Sequence, residues 1–322
     1  MHLSLRPVLA IDIGGTKLAV GVVARDGRLL ASRRQPTPRV KSGDELFAAL
    51  VSLCRAVLAE AGADSDGIEA VGVGCGGPMD YFAGRVSPLN IPAWRDFPLR
   101  DRVVETFGRP CVVDNDAKAL ALGERWKGAG RSSNNMLGMV VSTGVGGGII
   151  LDGRLLHGQA GNGGHIGHII VWPNGPLCGC GALGCLEGVA SGTGLTRRLS
   201  VALAQGAATS LPPGASAADM ASAARTGDAL ACELLRSAGE CVGRGIASSA
   251  ALLDLELVVI GGSIALKAWD LIGPPLLAEV ERSARLDFTR TLRVVLAELG
   301  DHAGLFGAAL LGFGIREQDL HV

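Results

Sequence analysis

Aromatic residues are scarce in this chain: they make up 4% of its 322 positions, with a single tyrosine among them. Excess charge of either sign is missing as well. Thirty basic residues face 31 acidic ones, a formal net charge of −1, with no long run of either. That balance leaves no electrostatic footprint for nucleic acid or a membrane surface, so neither is expected as a partner. No apolar stretch approaches the ~20 residues of a membrane span. The apolar run that opens at Val8 is cut by Asp12 after four residues, and no secretory leader fits. A cytoplasmic protein with reduced cysteines is expected. The phosphate-loop pattern G-x-x-x-x-G-K-[ST] is absent, which excludes a P-loop enzyme. Gly72-Val73-Gly74-Cys75-Gly76-Gly77 has the G-x-G-x-x-G spacing, but Pro78 follows where a helix should open, which excludes a Rossmann dehydrogenase.

Glycine, by contrast, is abundant at 48 residues, without a collagen period or a low-complexity tract. It clusters at 14–15, 72–77, 144–148, 161–167, 179–184 and 261–262, where backbone is expected to approach ligand. With 48% hydrophobic and 19% charged residues the chain can bury a large core and should split into two domains. An internal echo suggests how. Val8 to Ile13 reads as a strand, Gly14-Gly15 as a turn, Leu18 to Val23 as a strand, and Asp26-Gly27-Arg28-Leu29-Leu30 as a turn into a third. Met136 to Val141, the glycine turn Gly144 to Gly148, Ile149 to Leu151 and Asp152-Gly153-Arg154-Leu155-Leu156 repeat that order. The repetition predicts a duplicated domain with a glycine hairpin in each half. Helical periodicity covers Gly43 to Ala61, with apolar residues at 46, 47, 50, 53, 54, 57 and 58, then Ala117 to Trp126, and Ala217 to Leu253 in at least two pieces. Strand and helix alternate throughout, so the class is α/β.

Backbone N–H groups in a glycine hairpin form a concave anion site, and two such hairpins point to nucleotide phosphates. Asp12 ends the first strand beside Gly14-Gly15-Thr16-Lys17. A carboxylate beside phosphate is costly unless a divalent cation lies between, so Asp12 is expected to hold hydrated Mg²⁺. The bland alternative is a turn that happens to contain Asp, Gly and Thr.

Between Gly164 and Glu187, His168 precedes Cys178, Cys180 and Cys185 by ten residues or more, and Glu187 follows the last cysteine by two. Three thiolates and one imidazole make a closed tetrahedral zinc set, and a set without a vacant position is structural. The metal would pin a loop that also carries His165 and Glu187. Three free or buried thiols are the alternative reading. The remaining cysteines, at 54, 75, 111, 232 and 241, stand singly among apolar neighbours and are expected in the core.

Asp114-Asn115-Asp116-Ala117-Lys118-Ala119 joins a strand over Cys111 to Val113 to a helix running through Glu124. A carboxylate there can accept a proton from a hydroxyl attacking phosphorus. Asp and Asn are also ordinary helix caps, and these six residues alone favour capping. The surrounding constellation shifts the balance toward a base.

Taken together the motifs resemble the ROK family of sugar kinases and related repressors, from Val8 to about Gly312. The resemblance lies in Asp12-Ile13-Gly14-Gly15-Thr16-Lys17, Gly76-Gly77-Pro78, Asn115-Asp116-Ala117, Ser142-Thr143-Gly144-Val145-Gly146-Gly147-Gly148, the Cys178 to Glu187 motif, Val258-Val259-Ile260-Gly261-Gly262-Ser263 and Gly304-Leu305-Phe306-Gly307-Ala308-Ala309. It implies an actin-like, hexokinase-like duplicated domain, ribonuclease H-like in each half, with two lobes about a central cleft. The division expected is a small lobe over 1–117, with a helix over about 303–322 packing back on it, and a large lobe over 118–302 holding the knuckle at 168–187.

The activity implied is ATP-dependent phosphorylation of a hexose at its 6-hydroxyl, with glucose foremost. An N-acetyl or amino hexose, such as N-acetylmannosamine, is the alternative, and a non-catalytic sugar sensor a third. By resemblance Asp116 is the general base, and Gly76, Gly77, Asn90, Asn115, His165, His168 and Glu187 bind sugar. Asp12, Gly14, Gly15, Thr16, Lys17, Thr143, Gly144, Gly146, Gly261 and Gly262 bind nucleotide with Mg²⁺, while His168, Cys178, Cys180 and Cys185 bind zinc. A homodimer is expected. The family's repressors carry a helix-turn-helix ahead of the first hairpin, and the eleven residues before Asp12 are too few for one. One departure stands out: where the family has Glu-x-Gly-His this chain has His165-Ile166-Gly167-His168. An imidazole accepts one hydrogen bond where a carboxylate accepts several, so the identity of the sugar is open while phosphotransfer is not.

Overall fold

The computed structural model describes residues 6–318. The chain gathers into two compact units. One comprises the residues up to Arg131, Leu155–Gly163 and the residues from Glu298 on; the other comprises Ser132–Arg154 and Gly164–Ala297.

In the first unit, β1 (Val8–Ile13) pairs antiparallel with β2 (Lys17–Val23), which pairs antiparallel with β3 (Leu29–Pro36). Helix α1 (Gly43–Glu60) leads to β4 (Val71–Cys75), parallel to β1. A small ribbon of β5 (Met79–Asp80) and β6 (Arg85–Val86) follows, then α2 (Leu99–Phe107), then β7 (Cys111–Asn115), parallel to β4. The sheet order is β3-β2-β1-β4-β7, and α3 (Asp116–Lys127) starts directly after it.

The second unit repeats this sheet. Strands β8 (Met136–Val141) and β9 (Val145–Leu151) are antiparallel, and β10 (Arg154–Leu155) lies next to β9. Helices α4 (Leu186–Ala190), α5 (Gly192–Ala204), α6 (Ala217–Arg225) and α7 (Ala229–Leu253) precede β11 (Leu257–Gly261). Helices α8 (Ser263–Lys267) and α9 (Trp269–Ser283) then lead to β12 (Arg293–Leu296). The order β10-β9-β8-β11-β12, with β11 parallel to both β8 and β12, is the duplicate that the internal echo predicts. Helix α10 (Ala303–Gln318) closes the first unit.

Period-two patterning explains how the first sheet is covered on both faces. Leu9, Ile11 and Ile13 join a core with Leu46, Phe47, Leu50 and Val57 of α1, while Val8 and Ala10 join Leu305, Ala308, Ala309 and Phe313 of α10. Each fully buried leucine or isoleucine contributes about 1.5–3 kcal/mol of transfer free energy. The Ser42 Oγ accepts the Asp44 N–H at 3.2 Å and starts α1, whose buried residues are those at 46, 47, 50, 53, 54, 57 and 58.

Helix α10 packs with its backbone against other backbone. A Cβ on Gly72 would overlap the Ala308 carbonyl oxygen, one on Gly123 the Ala303 oxygen, and one on Gly307 the Ala119 oxygen. These contacts keep all of α3 in the first unit, so the division falls after Arg131 and not at the expected 117, which would cut α3 from the strand that leads into it. The last part of the helix expected over 303–322 lies outside the described residues.

Two further expectations are corrected. The run Gly144 to Gly148 is not all turn: Gly146, Gly147 and Gly148 lie in β9, paired with Val140, Met139 and Gly138. Glycine suits the strand there because a Cβ on Gly147 would meet Ile166 Cγ2 at 2.9 Å and Gly164 O at 3.0 Å. Cys54, Cys75, Cys111 and Cys241 are buried as expected, but Cys232, in the first turn of α7, is exposed.

A Gly307→Ala substitution is expected to destabilise by about 1–3 kcal/mol, since backbone must shift to admit the methyl group. On the same helix nothing among the described residues lies within 4 Å of a Cβ at Gly314. Gly314→Ala should therefore stabilise by roughly 0.5–1 kcal/mol through helix propensity. Urea midpoints of the two variants, at unchanged m-value, check the opposite signs.

Candidate functional site

Three parallel strands of the first unit end side by side, and ligands of α/β sheets gather at such carboxyl ends. Across β1, β4 and β7 the register sets Asp12 beside Gly74 and Gly74 beside Asp114, so the strand ends deliver Asp12, Gly76 and Asn115 to one edge. The Gly14–Gly15 hairpin follows Asp12. Gly14 donates its N–H to Lys17 O at 2.9 Å, and Thr37 Oγ1 donates to Gly14 O at 2.6 Å. Gly15 needs its missing side chain, because a Cβ there would lie 2.5 Å from that of Asn90. The Lys17 ammonium forms an ion pair with Asp301 at 2.6 Å, and Arg34 reaches the same carboxylate at 2.8 Å.

Asn115 and Asp116 divide the start of α3 between them. Asn115 is the cap, its Oδ1 accepting the Ala117 N–H at 3.0 Å, and Asp116 is the first helical residue. One oxygen of Asp116 also accepts the Ala117 N–H, at 2.8 Å. Burial raises the Asp116 carboxyl above the usual range, against the lowering effect of that N–H. Asp12 is pushed up to about 7, first by burial and then by the charge of Asp116. Gly76 lies close by: a Cβ on it would come within 3.8 Å of Asp116 Oδ2. The first unit thus brings Asp12, the hairpin, Gly76 and Asp116 together.

In the second unit the β8–β9 turn is closed by the Ser142 N–H donating to Gly144 O at 2.9 Å. Ser142 Oγ lies 2.9 Å from Ser263 Oγ, which links this turn to the Gly261-Gly262-Ser263 corner after β11. Gly262 has φ 96°, a left-handed conformation that favours glycine. Glu187 turns onto the hairpin tip, where its Oε2 accepts the Val145 N–H at 2.9 Å, and a Cβ on Gly144 would lie 2.7 Å from that oxygen. His165 is exposed, with its ring centroid 6.1 Å from that of His168.

His168, Cys178, Cys180 and Cys185 place one ligand atom each within 4.8 Å of one another, a group able to hold a metal ion. The Cys180 and Cys185 sulfurs are 3.7 Å apart, and Cys178 Sγ is 3.8 Å from His168 Nδ1. A disulfide needs ~2.05 Å between sulfurs. Metal–sulfur bonds of ~2.3 Å in a tetrahedron need edges near 3.8 Å, so the four donors fit zinc. Of the knuckle glycines, Gly181 and Gly184 have positive φ and Gly179 does not. Cys185 caps α4, the helix that carries Glu187.

Asp301, Arg34, Lys118, Tyr81 and His157 were invisible as site neighbours in the sequence. Lys118 sits in the Asp114 to Ala119 motif without a sign of its partner, and only the fold brings Asp301 to Lys17 or His157 to Asp114, 3.2 Å away.

Residues 8–313 match the ROK family. The chain is 35% identical over 312 residues to a glucokinase from Thermotoga maritima, covering 94% of this chain and 96% of the relative. It is 39% identical over 259 residues to an N-acetylmannosamine kinase from Yersinia pestis, covering 80% of this chain and 83% of the relative. Among solved structures, a ROK family glucokinase from Streptomyces griseus in complex with glucose and AMPPNP is 36% identical, with a TM-score of 0.77 over 95% of this chain and 99% of its own. With the duplicated sheet, these likenesses make the fold actin-like and hexokinase-like, and the chain belongs to the ROK family.

Proposed function

We propose that the protein is an ATP-dependent hexose kinase acting on the 6-hydroxyl, with glucose as first substrate. The observation that carries this reading is the half-buried Asp116 carboxyl at the first position of α3, beside Gly76 and next to the Asp12 hairpin. Family membership and the full-length likeness to glucokinases support it. A carboxylate with a raised pKa is a better proton acceptor for a hydroxyl than an exposed one. Asp116 takes the 6-hydroxyl proton as that oxygen bonds to the γ-phosphorus. The bond from the γ-phosphorus to its bridging oxygen breaks, and ADP leaves with that electron pair.

Phosphates are held by backbone N–H groups of the hairpins: Gly14, Gly15 and Thr16 with Lys17 in the first unit, Thr143, Gly144 and Gly146 in the second. Gly261 and Gly262 bind the nucleoside side. Asp12, half-buried within reach of the charge of Asp116, suits a hydrated Mg²⁺, which when bound would neutralise phosphate charge. Gly76, Gly77, Asn90 and Asn115 in the first unit, and His165, His168 and Glu187 in the second, bind the sugar. With Nδ1 of His168 toward Cys178, its other nitrogen is left for a sugar hydroxyl, and His168 ligating a zinc through Nδ1 would have its ring held in place. A tetrahedral thiolate set also suits a reducing cytoplasm. Among the described residues no helix is long and apolar enough to cross a membrane.

His165 favours a second reading, in which a C2-substituted hexose such as N-acetylmannosamine is preferred. The likeness to an N-acetylmannosamine kinase supports keeping it.

Asp116→Asn is expected to lower kcat by ~10²- to 10⁴-fold while leaving calorimetric sugar affinity near wild type. Because the base works ionised and burial raises its pKa, wild-type activity should rise with pH through that raised value. Turnover above about a tenth of wild type in Asp116→Asn would place the base elsewhere.

Metal analysis of purified protein should find one zinc per chain. Cys180→Ser should release it and weaken sugar binding with nucleotide affinity unchanged. Protein without stoichiometric zinc would refute the metal assignment.

His165→Glu should change the ranking of glucose, mannose and N-acetylmannosamine by ~1–3 kcal/mol in kcat/KM, the size of gaining or losing one buried hydrogen-bond partner. Unchanged ratios would remove His165 from sugar recognition.

A further inference from the structure

The first unit buries an ion pair that the mechanism above does not use. Asp114 and Lys118 have side chains 0% and 1% exposed, with Lys118 Nζ 3.2 Å from Asp114 Oδ1. Ion pairs between residues this close in sequence are usually solvated surface features. Burying one is costly compared with an apolar pair, so what else the two charges hold is informative.

Lys118 Nζ donates to the Gly161 carbonyl oxygen at 2.7 Å. Asp114 Oδ1 accepts the Asn115 N–H at 2.7 Å, and Asp114 Oδ2 lies 3.2 Å from His157 Nδ1. Gly161 and His157 belong to Leu155–Gly163, the stretch that joins the first unit while the chain on either side of it belongs to the second. Other groups hold the same stretch. Asn162 Nδ2 donates to Met79 O at 3.2 Å, the Tyr81 ring lies 4.8 Å from the His157 ring, and Gly161 is pressed so closely on Tyr81 that a Cβ would overlap it. Directly after Gly163 the chain enters Gly164–His168, which carries His165 and His168.

We propose that Asp114 and Lys118 are positioning residues: the buried pair grips the 155–163 loop through the Gly161 carbonyl and thereby sets the segment bearing His165 and His168. The same Asp114 carboxylate fixes the Asn115 N–H, and with it the start of the helix that bears Asp116. One charge pair therefore serves both the base and the sugar-binding segment. The inference rests on the kinase reading for its effect on turnover, and on the loop contacts alone for its effect on order.

Two variants separate positioning from stability. Lys118→Met removes the donor and leaves the Asp114 charge buried alone, so it should melt well below wild type. Adding Asp114→Asn removes that orphaned charge and keeps an acceptor for the Asn115 N–H, so the double variant should recover the melting temperature. It still lacks a donor for Gly161. Hydrogen exchange of peptides covering 155–168 in the double variant should be at least about 10-fold faster than wild type, the loss expected for a charge-assisted hydrogen bond. Its kcat/KM for glucose should fall by about 10²-fold, the scale of a misplaced binding group, with KM for ATP unchanged.

Wild-type exchange over 155–168 in the double variant overturns the proposal, and so does wild-type kcat/KM for glucose. Faster exchange spread over the whole first unit with a lowered melting temperature also overturns it, because the pair would then serve stability alone. Exchange does not depend on turnover. Wild-type protein that phosphorylates no hexose counts against the kinase reading, while the loop result still decides the positioning claim.

Discussion

The close approach of α10 to α3 and to β4 is the constraint on which the first unit depends. At Gly72, Gly123 and Gly307 backbone meets carbonyl oxygen with no room for a side chain. The approach continues to the start of α10, where a Cβ on Gly304 would lie 2.6 Å from Asp12 Oδ2. Helix packing therefore covers one side of the Asp12 carboxyl. Asp12 and Asp116 are both half-buried, and desolvation is the leading cause of the rise in each pKa. A packing requirement becomes an electrostatic property, which is the route by which a core determines chemistry.

The two sheets share a topology and differ in what holds each hairpin. In the first, Thr37 grips the turn and Asn90 backs Gly15. In the second, Glu187 takes the Val145 N–H, and Thr193 donates from N and Oγ1 to Thr143 O at 3.3 and 3.0 Å. Glu187 stands two residues after Cys185, which is both a knuckle thiol and the cap of α4. A metal in the knuckle would thus steady the carboxylate that steadies the second hairpin, a second-layer role for a structural ion.

Buried charges of the first unit are few and lie close to backbone. The same economy is visible at Glu124, a buried side chain in α3, whose carboxylate accepts the N–H groups of Ala129, Glu298 and Leu299 at 2.9, 3.2 and 2.9 Å. A buried carboxylate with several N–H partners is satisfied where an isolated one would be costly. Together with Asp114 and Lys118, it shows acidic groups of α3 and its approach tying distant chain segments together.

Local patterning carried most of the architecture. The apolar run of Val8 to Ile13, the 3.6-residue period of α1 and the repeated Asp-Gly-Arg-Leu-Leu turn were legible because each depends on near neighbours in the chain. The metal set was legible for the same reason, since its three cysteines fall within eight residues. Other features depend on contacts between distant segments. That Gly146 to Gly148 form a strand, that the unit boundary follows Arg131, that Asn115 and not Asp116 caps α3, and that Lys118 holds Gly161 came only from the tertiary structure. Sequence determined which residues can bind phosphate, metal or a proton, because chemistry belongs to the residue. The folded chain decided which of them are dry, paired and adjacent, because desolvation and hydrogen bonding belong to the surroundings.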